Sequence, residues 1–354
     1  MLSTIITRWE VWVAIGLALY LLLRRKKQQA EYEKIREMPP ADTLAVEYVE
    51  KPSAEPEPPA PIIDPETEAA MVAALEHFAT ATSKPCIYLE AIPREDNAPT
   101  ASKLGGIPYM PPFFEYPLAP SGAPLKLMAQ LNFATLPPIP DFPTAGILQI
   151  YLLPDDTYGL NLGEVPHVTQ DTFRIIYHPP ADDYPEYYHD PQPLPPPPDP
   201  IETFPIIGEF QLIGRAGEDI ISYEGEQFRQ IFKHFCHAEG YAELFAPYFA
   251  PEHTPISGAI DDLLLIHFDI SSGNNMGGHP SFTQYDPRPF AINTPAELRL
   301  SHDTLLLQLE SIGHQEYHSY IWWGEDGGIG NFFINKEDLR NCNFDNVLYH
   351  WDCY

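Results

Sequence analysis

Positive charge is scarce in this chain. Its 354 residues carry 20 Lys and Arg against 50 Asp and Glu, a formal net charge of −30. That balance argues against nucleic acid as a partner, because phosphate contacts need cations in quantity. A basic protein partner or a metal ion stays open, beside the plainer reading that acidity confers solubility. Cysteine is equally sparse. Cys86, Cys236, Cys342 and Cys353 form no C-x-x-C pair and no close even framework, so the four read as reduced thiols, in keeping with a cytoplasm-facing body. Also missing are G-x-S-x-G, G-x-x-x-x-G-K-[ST] and H-E-x-x-H. Their absence disfavours the familiar nucleophile-elbow, P-loop and zincin enzymes, and no motif implies a cofactor.

Long apolar runs are rare too, with one exception. Val11 to Leu23 is thirteen uncharged residues, followed at once by Arg24-Arg25-Lys26-Lys27. A helix begun at Ile5 would rise about 28 Å, close to the ~30 Å of bilayer hydrocarbon. Trp9, Trp12 and Tyr20 suit the interfaces, and the basic cluster belongs on the cytoplasmic side. The expectation is a single-pass transmembrane anchor over residues 1–27, amino terminus outside and carboxy-terminal domain cytoplasmic. A cleaved signal peptide is the rival, but it would carry its charge before the apolar run and small residues after it. Residues 28–66 read as a charged and proline-rich stalk, with eight prolines between positions 38 and 65 favouring extended polyproline II.

What is plentiful lies beyond the stalk. Hydrophobic residues make up 44% of the chain and aromatics 12%, enough for a sizeable core in a globular domain over residues 67–354. Asp64-Pro65 is a helix start, and Met71, Ala74, Leu75, Phe78 and Thr82 mark one helical face up to Lys84-Pro85. Strands are expected at Ile87–Leu89, Leu125–Phe133, Gly146–Leu153, Phe173–Tyr177, Ile206–Leu212 and Leu263–Ile270. One or two amphipathic helices are expected between Gly225 and Phe249, and the proline-rich stretch His178–Pro205 is a surface excursion. The fold class is α+β, a β-rich single domain preceded by the transmembrane helix.

Two stretches echo each other. Gly105-Gly106-Ile107-Pro108, then Leu127-Met128-Ala129-Gln130-Leu131, then Gly146-Ile147-Leu148-Gln149 is matched by Gly277-Gly278-His279-Pro280, then Leu305-Leu306-Leu307-Gln308-Leu309, then Gly330-Asn331-Phe332-Phe333. The echo suggests two pseudo-repeated units, about 87–215 and 263–354, with a ligand cleft expected at their junction. Chance remains the alternative, since both short patterns are common ones.

The same residues carry a resemblance. KLGGIPYMP, PLKLMAQLNF, GILQIYLLPDDTYGLN, FRIIYH, MGGHPSFTQYDPR, DTLLLQLES, WGEDGGIGNFFI and DNVLYHWDC, in that order, resemble the bacterial YwqG-like family over roughly residues 67–354. That family is one of unknown function, so the resemblance implies an α+β fold and no reaction. The anchor, the stalk and the proline-rich insert depart from its pattern.

Candidate chemistry is thin. His234 and His237 sit three apart on an expected helix beside Cys236, but without a fourth ligand ordinary packing is the better reading and no metal is assigned. More promising is Phe282-Thr283-Gln284-Tyr285-Asp286-Pro287-Arg288, where an extended chain would project Phe282, Gln284, Asp286 and Arg288 to one side. Trp323, Glu325 and Asp326 in the glycine-rich turn after Trp322 could complete a polar ligand site. The structural alternative is that Asp286-Pro287 makes a turn and Arg288 pairs with a neighbouring carboxylate. Three functions follow: a non-catalytic protein-binding or scaffold module, which the absence of a nucleophile or metal motif favours; a small-ligand sensor or enzyme built on Gln284, Asp286, Arg288, Glu325 and Asp326; and an acidic neutraliser of a basic protein.

Overall fold

Asp64 caps the first helix as its sequence dictates. Its carboxylate accepts the backbone N–H groups of Glu66 and Thr67, Pro65 opens the helix, and Met71, Ala74, Leu75 and Phe78 are buried along one face. This helix is α1, Pro65–Thr82. A computed structural model describes residues 63–111, 114–162, 168–180, 204–223, 228–268, 273–288, 302–314 and 319–354. The expected anchor over 1–27, nearly all of the stalk and most of the 178–205 stretch lie outside the described residues. Among those described, no helix is long and apolar enough to cross a membrane.

Among the described residues thirteen strands follow: β1 Lys84–Pro93, β2 Lys103–Leu104, β3 Lys126–Asn132, β4 Ile147–Leu152, β5 Phe173–His178, β6 Ile206–Ile207, β7 Phe210–Asp219, β8 Asn275–Gly277, β9 Thr304–Glu310, β10 Ile312–His314, β11 Ser319–Ile321, β12 Gly328–Ile334 and β13 Val347–Cys353. Between β7 and β8 lie the helices α2 Phe228–Ala238, α3 Ala246–Phe249 and α4 Pro255–Phe268, and α5 Lys336–Arg340 precedes β13. Ten strands form one antiparallel sheet in the order β13-β12-β9-β8-β1-β7-β2-β3-β4-β5, and β10-β11-β6 form a small second sheet.

The ten-strand order mirrors itself about the long β1–β7 ladder, which runs from Lys84 opposite Asp219 to Pro93 opposite Phe210. On either side of that ladder the strands match position by position: β7 with β1, β2 with β8, β3 with β9, β4 with β12 and β5 with β13. Both sets skip a residue at the same place, Met128 on β3 and Leu306 on β9, where the register shifts. The sheet curls until its ends nearly meet. The Gln170 amide donates to the Phe344 and Asp345 carbonyls, and the Trp351 indole donates to the Thr157 carbonyl. One apolar core runs through both sets, from Leu104, Met128 and Leu148 to Leu307, Phe332 and Tyr349. A second cluster joins α1, α2 and α4 through Phe78, Phe228, Phe232 and Phe268. The whole is a β-rich domain with a large, nearly closed antiparallel sheet and few helices.

Three expectations need correction. The described part of the expected strand Leu263–Ile270 is helix: Leu263 to Phe268 ends α4, with Ser257, Ile260, Leu264 and Phe268 inward at helical spacing, a period that a run of four consecutive aliphatics hides. Ile206–Leu212 is two elements, β6 and the start of β7, broken at Gly208 where φ is 87°. The third strand of the echo is offset. Gln149 pairs with Gln130 on β3 and Asn331 with Gln308 on β9, so Gly146 corresponds to Gly328 and not to Gly330.

Candidate functional site

The segment from Gly277 to Arg288 begins with a turn that only glycine accommodates easily. Gly277 and Gly278 have φ of 69° and 73°, and a Cβ on Gly277 would stand 2.8 Å from the Pro85 carbonyl oxygen. Ser281 is then clasped on both sides: its N–H donates to Gln308 Oε1 at 2.7 Å, and its carbonyl accepts from Asn331 Nδ2 at 2.9 Å. The backbone N–H groups of Thr283 and Gln284 donate to the Asp352 carboxylate. These bonds hold the segment across the edge half of the sheet and aim its end at α1.

That end is Asp286-Pro287-Arg288. Asp286 Oδ1 accepts both the Arg288 N–H at 3.0 Å and Arg288 Nε at 2.9 Å, and Oδ2 accepts Nη2 at 2.6 Å. The guanidinium lies 4.5 Å from the centroid of the Phe333 ring, and Nη1 reaches the His302 carbonyl at 3.4 Å. Asp286 is buried with Arg288 partly so, and the fork geometry of a bidentate pair fixes both side chains.

Phe282, Asp286 and Arg288 line a cavity of about 330 Å3. The facing wall comes from the end of α1 and the start of β1, Thr82, Ser83 and Lys84, and an apolar floor from Ile221, Phe228, Ile231 and Leu305. His279 sits at the rim, its Nε2–H donating to the Thr82 carbonyl at 2.7 Å and its backbone N–H to Asp219 Oδ2 at 2.6 Å. Burial pulls the His279 pKa down to about 4, helped by the nearby Lys84 charge. Burial also raises Asp219, against its His279 hydrogen bond and the Lys84 charge. Lys84 keeps solvent-exposed surface, yet burial lowers its pKa, and Arg288 adds repulsion while Asp219 opposes.

The residues singled out from sequence part company here. Asp286 and Arg288 meet on the cavity wall. Gln284 turns outward, its amide donating to the Cys353 carbonyl at 2.7 Å. Trp323 is fully buried in the main core, stacked on Trp351 and edge-on to Tyr158, in space left by the missing side chain of Gly330. Glu325 and Asp326 are exposed in the turn that Ser311 Oγ closes by accepting from the Trp323 and Gly328 N–H groups. None of these four lines the cavity. The cavity lies at one end of the β1–β7 ladder, where Lys84 opens β1 and Ile221 follows β7, between the helices and the second strand set. On α2, Cys236 packs inward while His234 and His237 are exposed. Sequence reasoning missed Lys84, read only as the end of the α1 pattern, and His279. The signal that could have found Lys84 is the scarcity of cations, which makes each one in an acidic body informative.

Comparison with curated proteins finds no match. The model of one protein family, described as a domain of unknown function (DUF1963), matches residues 102–353, from the start of β2 to the end of β13. That match spans well over half of the chain, and the chain belongs to the DUF1963 family.

Proposed function

We propose that the domain is a small-ligand-binding module whose site is the cavity between α1, α2 and the segment 278–288. The observation that carries this reading is the convergence of a desolvated Lys84 and the fixed Asp286–Arg288 pair on one concave wall above an apolar floor. A volume at the small end of the usual ~300–1,000 Å3, mostly apolar lining and a few convergent polar groups are the ordinary composition of a ligand pocket. It favours the ligand-binding reading over a protein scaffold. The resemblance to YwqG-like proteins, which are members of the matched family, is consistent with this and adds no chemistry. We read the two five-strand sets as internal duplicates, with the site built mainly on the second and closed by the end of β7 from the first. Residues 1–27 would tether the module to a membrane with the cavity on the cytoplasmic side, a reading that protease protection of the full chain in sealed vesicles would test.

The test of the site is a thermal-shift screen of the full chain against a small-molecule library, followed by hydrogen exchange on each hit. Hits should protect residues 81–84 and 278–288. Protection confined to the 322–328 turn, or no hit across anionic, neutral and cationic compounds, would overturn the assignment.

A further inference from the structure

Resting on the reading of this cavity as a ligand site, we propose that its ligand is a small monocarboxylate with an apolar body, the carboxylate bound at Lys84. The two cations on the wall are in different states. Arg288 is satisfied: Asp286 neutralises it through three hydrogen bonds, and Phe333 and the His302 carbonyl cover the rest. Lys84 is not. Among the described residues no carboxylate lies within 4 Å of its ammonium.

The carboxylates that act on Lys84 from farther away have other bonds to keep. Asp219 accepts the His279 N–H, and Asp303 Oδ1 accepts the Lys336 N–H at 2.9 Å and the Thr304 hydroxyl at 3.0 Å. A desolvated ammonium repelled by a neighbouring guanidinium gains from one added anion in contact with it. The same surroundings limit that anion's charge. With Asp286 and Arg288 cancelling each other, Asp219 and Asp303 still stand near Lys84, so a dianionic phosphate would meet two carboxylates with one cation to hold it. Below the charged wall, Ile221, Phe228, Ile231, Phe282 and Leu305 offer apolar surface, with the Ser222 hydroxyl beside Ile221. The complementary molecule has one carboxylate and a hydrocarbon or aromatic body.

Isothermal titration of the full chain with benzoate and hexanoate tests this, with benzyl alcohol, benzylamine and phenyl phosphate as isosteres of altered charge. Benzoate or hexanoate should bind at least about tenfold more tightly than any of the three isosteres, and Lys84→Met should weaken carboxylate binding by about 10–100-fold. Carboxylate binding should also raise the Lys84 pKa, read from the 13C shift of the reductively dimethylated lysine, which keeps the test independent of any effect of Lys84→Met on folding. Equal binding of benzyl alcohol and benzoate, or full affinity in Lys84→Met, would overturn the carboxylate while leaving the cavity a ligand site. Preference for phenyl phosphate would overturn the charge argument. Failure of every probe, anionic, neutral and cationic, would remove the site itself.

Discussion

Gln130 and Gln308 perform the same task in the two strand sets. Each is fully buried, and each accepts through Oε1, at 2.7 Å, the N–H of the residue three past a glycine pair, Tyr109 in one case and Ser281 in the other. Each also donates through Nε2 to a carbonyl two residues before β2 or β8, that of Ala101 or Gly273. The neighbouring strand supplies a second amide, Gln149 or Asn331, which donates to the Tyr109 or Ser281 carbonyl. A turn, a strand and the chain entering the turn are thereby locked together twice in one molecule.

Removing either glutamine amide should be costly. Gln130→Met and Gln308→Met keep the volume but strand a buried N–H and a carbonyl, so each should lower stability by about 1–3 kcal/mol in urea unfolding. Gln308→Met should also weaken ligand capture by loosening the segment that carries Arg288, whereas Gln130→Met should leave it unchanged. Equal losses of binding in both would contradict that assignment.

Glycine substitutions separate backbone strain from steric collision. Gly240 has φ of 82° and nothing within 4 Å of a Cβ, so Gly240→Ala should lose only the left-handed penalty of about 1–2 kcal/mol. Gly105 and Gly277 share the positive φ, but a Cβ there would meet the carbonyl oxygens of Gly208 at 2.6 Å and Pro85 at 2.8 Å. Gly105→Ala and Gly277→Ala should each cost about 1–3 kcal/mol more than the Gly240 variant, by thermal or urea unfolding.

Acid should weaken the fold through two histidines. His178 and His279 are both held neutral by burial, with pKa values near 4 against an ordinary value of 6.5. An unfolded chain therefore takes up protons that the native chain refuses, and stability falls as pH drops from about 6.5 towards 4. The slope approaches about 1.4 kcal/mol per pH unit for each histidine at full burial, and partial exposure brings it lower. Asp219, whose pKa is raised, acts in the opposite direction over its own range. Replacing both histidines with Gln, which keeps a donor towards the Thr82 carbonyl and Gln149 Oε1, should flatten the profile. An unchanged slope in the double variant would count against these two residues as its source.

Much of this architecture was legible in the residues. The Asp64 cap and the four buried positions of α1 follow from spacing alone, and four of the expected strands coincide with β1, β3, β4 and β5. The glycine pairs and the glutamines were visible as an echo because each answers a local demand, positive φ in one case and a buried partner for backbone in the other. Where the demand is not local, pattern fails. Leu263–Ile266 reads as strand or helix until Ile260 and Phe268 are known to pack on Phe78 and its neighbours. Lys84 and Arg288 lie about two hundred positions apart, and only the β1–β8 pairing, Cys86 opposite Gly277, brings their segments together. Trp323 looked like a ligand-gripping indole because composition cannot tell a rim from a core.

The mirrored strand order bears on what counts as the beginning of this domain. In the first set the chain runs β2, β3, β4, β5 and then β7; in the second it runs β8, β9, β12, β13, and the strand in the matching fifth place is β1, which comes first of all. Traced as a ring, the strands make two equivalent circuits, and the natural break falls inside the second, between β13 and β1. In the first, β5 is followed in sequence by β6 and β7. A circular permutant that joins Tyr354 to Ile63 through a flexible linker and opens between Pro93 and Ser102 should close the same sheet, with a native-like circular dichroism spectrum and a single melting transition. It would turn the discontinuous circuit into a continuous one and leave the Lys84 wall of the cavity in place.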